Sequence, residues 1–143
     1  MKTFFALACF AAAAAAQRIA IGAPASMSTV AAGSNITVEV DKPNSLSGST
    51  EVGLAIGVLP CGSSPCSSIN VTQFLGNIVY SGSFDPQYDS SDPSKPPFQN
   101  FSIEIPSTAT SGQQLSIGVV HLSIVGASGT PFTEVVNTTV VVQ

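Results

Sequence analysis

Apolar and polar residues alternate with a period of two along most of this chain. In residues 35–41, NITVEVD, Ile36, Val38 and Val40 share one parity, and Asn35, Thr37 and Glu39 share the other. That pattern predicts a strand with one buried and one wet face. Residues 98–105 repeat it, with Phe101, Ile103 and Ile105 opposite Asn100, Ser102 and Glu104. Residues 133–142 do so again, with Val136, Thr138, Val140 and Val142 on one face and Asn137 on the other. Residues 51–59, EVGLAIGVL, are apolar on both parities, which predicts a strand covered on both faces. Residues 18–23, 74–80 and 113–125 complete a set of seven strands, and turns rich in Gly, Pro and Ser separate them. Residues 24–34 read as a link. Outside the first residues no helical period of useful length appears. The fold class is therefore all-β, an immunoglobulin- or fibronectin-like sandwich of about seven strands.

The first sixteen residues break this pattern. Lys2 precedes an apolar run from Thr3 to Ala13, and small alanines follow up to Gln17. This is the layout of a cleaved signal peptide over residues 1–16, too short for a membrane span. A single domain over residues 17–143 remains, with a freely secreted extracellular product as the expectation. No hydrophobic tail after a small-residue site suggests a glycolipid anchor. Entry into host cells is left open.

Charge narrows the partners. Only 8% of the chain is charged, and without the leader three basic residues face eight acidic ones. No basic patch exists to hold nucleic acid or an anionic membrane. Ser and Thr take over much of the surface. The sequons at Asn35, Asn70, Asn100 and Asn137 are candidate glycan acceptors and imply exposed positions.

Cys61 and Cys66, in CGSSPC, are the cysteines left after the leader. In an exported chain they read as one disulfide that pins a loop. A redox pair would space them two apart, and a metal site would need more ligands.

Candidate chemistry is thin. His121 is the one histidine, and no Gly-x-Ser-x-Gly elbow accompanies it. Asp85, Asp89 and Asp92 lack the spacing of a calcium loop and read as a solvated acidic turn. Carboxylate pairs drawn among Glu51, Asp85 and Glu104 have no local support. The expectation is a protein without catalytic residues, metal or cofactor, acting by recognition and as a monomer.

The candidate recognition element is the Pro-rich loop at about 82–97, within YSGSFDPQYDSSDPSKPPFQNF. A connection this long without regular structure is uncommon in a compact domain. Prolines stiffen it and rings give it anchors, so Phe84, Asp85, Pro86, Tyr88, Pro96 and Pro97 are the candidate partner-binding residues. The rings could instead fold back and close the core. For Phe98 and Phe101 that second reading is favoured, and for Phe84 and Tyr88 both stand.

The order of several short pieces carries a family resemblance. They are Arg18-Ile19, Ala32-Gly33-Ser34, Val52 to Gly57, Leu75-Gly76, Tyr80-x-Gly82 and Asp85-Pro86-Gln87-Tyr88. Then come Pro96-Pro97-Phe98-Gln99-Asn100-Phe101, Ile105-Pro106, Gly112, Leu122 to Ala127, and Asn137-Thr-Thr-Val. In these the chain resembles the necrosis-inducing secreted effectors of fungi over nearly its whole mature length. The resemblance implies a β-sandwich that binds a host protein, namely plant immune receptor-associated kinases. It implies their inhibition, with suppression of pattern-triggered immunity or induction of cell death, and it brings no catalytic motif. An alternative from a different class is an extracellular cell-wall or carbohydrate-binding module on the same scaffold.

Overall fold

Eight strands in two sheets build the molecule in a computed structural model that describes residues 18–143. The leader expected over residues 1–16 lies outside the described residues. The smaller sheet has the order β1 (Ala20–Ala23), β3 (Asn35–Asp41), β6 (Phe98–Glu104). The larger has the order β2 (Ser28–Val30), β8 (Thr130–Val142), β7 (Gln114–Val125), β4 (Ser49–Pro60), β5 (Asn77–Gly82). All pairs are antiparallel except β2 on β8. This is an immunoglobulin-like sandwich whose first stretch serves both sheets. β1 pairs with β3, and the chain then crosses through the cis Ala23–Pro24 bond to run beside β8 as β2. Among the described residues no helix is long and apolar enough to cross a membrane.

Alternation explains the core. Val38 and Val40 of β3, and Phe101 and Ile103 of β6, meet Leu54, Ile56 and Val58 of β4, Leu115, Ile117 and Val119 of β7, and Val140 and Val142 of β8. Each strand contributes one parity, so register and burial specify each other.

Two sequence expectations need correction. The stretch 24–34 is not only a link, because Ser28–Val30 forms β2. Its three residues are too few to show alternation, and its pairing is dictated by β8. The strand expected at 74–80 lies at 77–82. Gly76, at φ 83°, turns the chain first, a conformation that costs glycine little. Leu75, just before that turn, crosses the outside of the large sheet and rests on the paired Gly57 and Gly118. Those two glycines leave a trough where a Cβ would collide with Leu75. This covers the second face of β4 at Gly57, while Val52 on the same strand stays exposed. The Cys61–Cys66 disulfide and a 3-10 turn at Cys66–Ser68 anchor the start of the same covering segment. The Pro-rich loop is held to the sandwich, as described next.

Candidate functional site

The candidate loop is fastened at both ends. Near its start the Phe84 ring drops between the sheets, 4% exposed, with its centroid 5.3 Å from the His121 ring in an edge-on contact and 6.4 Å from that of Phe101. Tyr80 packs on the same Phe101 at 4.6 Å. Farther on, Gln87 and Phe98 exchange backbone hydrogen bonds of 2.9 and 3.0 Å, a one-pair ladder that folds the loop against β6. The Asp85 N–H donates to Gln99 Oε1, and the Lys42 N–H donates to the Pro97 carbonyl at 2.7 Å. Asp89 and Asp92 each accept from a serine two residues on, Ser91 and Ser94, forming two successive Asx turns. Those bonds hold both carboxyls below their ordinary value. Lys95 then returns to the small sheet, where Nζ lies 2.7 Å from Glu39 and 3.7 Å from the centre of the Phe98 ring.

The six candidate residues divide accordingly. Phe84, a candidate partner-binding residue for which two readings stood, folds back into the core and offers no ring to a partner. Deep in the sandwich the ring loses contact with water and gains Phe101 and His121. Pro97 is also buried, and Pro86 and Pro96 are half-buried. Asp85 and Tyr88 are exposed. Tyr88 is 61% exposed, and its hydroxyl donates to Asn44 Oδ1 at 2.7 Å. That bond ties the loop to the β3–β4 turn, whose Leu46 stands 99% exposed. Between the two segments runs a groove of about 260 Å³, with Pro86 and Pro97 on one side and Asn44, Ser45 and Ser47 on the other. Lys42, Ser49 and Glu51 also line it.

Behind Glu51 lies a buried polar cluster that the sequence did not announce. His121 is fully buried. Its Nδ1 is 3.0 Å from Glu134 Oε1, and its Nε2 bonds Glu51 Oε2. Each ring nitrogen therefore faces a carboxylate oxygen, one from β4 and one from β8. Glu134 Oε1 also accepts from the Ile19 N–H at 3.1 Å, and Glu134 Oε2 is buried without a hydrogen-bond partner. On the groove side Lys42 Nζ reaches Glu51 Oε1 at 3.1 Å, and Ser49 Oγ donates to the same oxygen. Burial alone would raise the Glu51 carboxyl. The hydrogen bonds of Ser49 and Lys42, with the charges of Lys42 and His121, outweigh it and hold the group below its ordinary value. The serine here bonds the acid and not the imidazole, so the groups do not line up as a serine–histidine–acid relay.

Parity could have found most of the cluster. Glu134 is in phase with Val136, Thr138, Val140 and Val142, and His121 is in phase with Leu115, Ile117 and Val119. Glu51 was hidden, because a bulge between Glu51 and Gly53 shifts the phase of β4.

Cys61 and Cys66 are bonded to each other, with Cα atoms 5.2 Å apart. Asn35, Asn70, Asn100 and Asn137 are all exposed. The Asn70 side chain accepts from both the N–H and the hydroxyl of Thr72, within its own sequon. Among the described residues no group of three or more His, Cys, Asp or Glu side chains is arranged to hold a metal ion.

Comparison with known proteins yields one family. No curated protein matches the chain. The model of the Nis1 family matches residues 14–141, which reach from ahead of the first strand into the last. The match takes in the sandwich, the tethered loop and the cysteine segment together, and the chain belongs to the Nis1 family of fungal effector-like proteins.

Proposed function

We propose that this protein is exported and acts by binding a host protein, without turnover, at the end of the sandwich formed by the β3–β4 turn and the 83–97 loop. The observation that carries the reading is Tyr88 tied to Asn44 beside the fully exposed Leu46. Two apolar side chains sit on segments already cross-linked by hydrogen bonds, so little conformational freedom is lost when a partner docks. The partner class follows the resemblance, and plant immune receptor-associated kinases are the first to test. A carbohydrate-binding module draws less support. The exposed aromatics among the described residues are Phe74 and Tyr88, which stand on different segments and form no stacking platform.

The test is capture of a purified kinase domain beside chitin and glucan, with Leu46→Ser and Tyr88→Ala variants. Binding to the kinase domain that drops at least about tenfold in the double variant supports the reading. Capture by polysaccharide alone overturns it, and so does kinase binding that ignores both residues.

A further inference from the structure

The buried acid Glu134 holds one oxygen to which nothing donates. Its side chain is 4% exposed, and among the described residues Oε2 has no hydrogen-bond partner. An acceptor left so is costly, and more so on a carboxylate. Lys42 reaches Glu51, on the other side of the imidazole, and gives Glu134 nothing. The other nitrogen at Glu134 is the backbone N–H of Ile19, in a buried bond of 3.1 Å to Oε1. An amide has one hydrogen to give. Ile19 itself is 3% exposed and belongs to the core, and the residue before it, Arg18, is exposed. The sequence adds an independent observation. The chain has four basic residues. Lys2 lies in the stretch read as a leader, and Lys42 and Lys95 are each followed by proline, Pro43 and Pro96. Proline brings no N–H and its ring crowds the residue ahead of it, so proteases specific for basic residues pass over such bonds. From residue 17 onward, Arg18–Ile19 is the one bond left to them.

We propose that Arg18–Ile19 is a processing site, cut by a protease that accepts arginine, and that the new α-ammonium of Ile19 pairs with Glu134 inside the sandwich. The step is a hydrolysis. The bond from the Arg18 carbonyl carbon to the Ile19 nitrogen breaks. The oxygen of water joins that carbon, which leaves as a carboxylate, and both hydrogens of the water end on the nitrogen. One donor hydrogen becomes three, enough to serve both oxygens of Glu134, and the bonds become charge-assisted. Glu134 is out of water before the cut, so that part of the cost of a buried pair is already present. The Ile19 side chain, packed in the core, holds the new terminus in place. Access to the bond comes from β1, a four-residue strand at the edge of the small sheet, whose first residues can leave and return. Arg18, Ile19 and Glu134 do not line the groove beside Tyr88, so failure here would leave the proposed function untouched.

Trypsin is the probe, applied to the folded whole chain and followed by intact mass. One lasting product is expected, residues 19–143. Its melting midpoint should lie at least about 3 °C above that of Arg18→Ala, an exposed change that keeps the bond closed under the same treatment. Glu134→Gln should be cut as readily and show no gain, which separates the ion pair from the mere loss of the preceding residues. The gain should also depend on pH. An α-amino group in an unfolded chain titrates near about 8, and pairing with Glu134 raises it in the folded one. The gain is therefore full below that pH and is lost as pH rises through the higher folded value. The groups that face the new charge, Glu134 of β8 and behind it His121 of β7, Glu51 of β4 and Lys42, are common to the cut chain and to Arg18→Ala, so the difference between the two reports the ammonium. Should Glu134→Gln lose its fold, this pH dependence decides. In the medium of a fungal culture the chain should begin at Ile19. A folded chain that resists trypsin at Arg18 overturns the proposal, and so does a product that melts no higher than Arg18→Ala. A gain indifferent to pH, or a secreted chain that begins at Gln17, overturns it as well.

Discussion

Phe84 and Tyr88 are four positions apart and have opposite fates. Phe84→Ala should cost about 3–5 kcal/mol in urea unfolding, because it empties a site between Phe101 and His121. Tyr88→Ala loses an exposed hydrogen bond and should stay within about 1 kcal/mol of the parent. From sequence the two were equivalent, since each is a ring beside Pro86 in a stretch without period. What separates them is the distance to the sheets, which depends on where β5 ends and therefore on the turn at Gly76. His121 is the costlier case. His121→Ala would leave Glu51 and Glu134 facing each other with nothing between them, a loss of about 3–5 kcal/mol in thermal or urea unfolding. Glu51 also sets part of the acid limit. Its carboxyl is held below its ordinary value of 4.5, so the stability it contributes is present above that pH and fades as pH falls through the lower folded value. Glu51→Gln should therefore differ most from the parent at neutral pH, and the two stability curves should converge in strong acid. Curves that stay parallel would place the effect elsewhere than in the ionised carboxylate.

The strands with five or more alternating residues were legible from sequence, because the core selects one parity in each. β2 and the crossing of Leu75 were not. Neither has a local pattern, and each exists because another element offers a place, β8 for the first and the Gly57–Gly118 trough for the second. That trough makes a sharp test. Gly57→Ala puts a methyl group against the Leu75 backbone, which cannot move aside as a side-chain tip can, and should cost about 1–3 kcal/mol. Gly118→Ala meets only the end of the Leu75 side chain and should cost less. Opening the disulfide by Cys61→Ser with Cys66→Ser should cost about 2 kcal/mol, since the loop it closes is short. Differential scanning calorimetry on the three variants ranks these effects. A disulfide loss as large as that of Phe84→Ala would mean that the covering segment holds the sheets together and does not merely lie on one.

Across the whole molecule the acids are sorted by sheet. Asp41 shows the strain of that sorting. Burial first, then the neighbouring Glu39, push its carboxyl above its ordinary value, and Oδ1 has no hydrogen-bond partner. A raised acid favours the folded state when protonated, so its contribution is lost as pH rises through the folded value. Asp41→Asn should accordingly raise the melting midpoint at neutral pH and have little effect in strong acid. A lower midpoint at neutral pH would show that the ionised group is held by contacts stronger than its repulsion by Glu39. The placement of the sequons was legible beforehand, because Asn35, Asn100 and Asn137 fall on the wet parity of their strands. Which sheet would turn its acids inward was not, because it depends on Glu51 and Glu134 both meeting His121.

The contrast between the two tyrosines has a practical use. The chain contains no tryptophan and two tyrosines, so its ultraviolet emission comes from Tyr80, packed on Phe101, and from Tyr88 at the mouth of the groove. Exchanging Tyr80 for phenylalanine would silence the inner lamp and leave the outer one lit. Docking at the groove could then be followed by eye of the fluorimeter alone, with no dye attached, and a titration that dims that light would report an encounter without any contribution from melting of the interior.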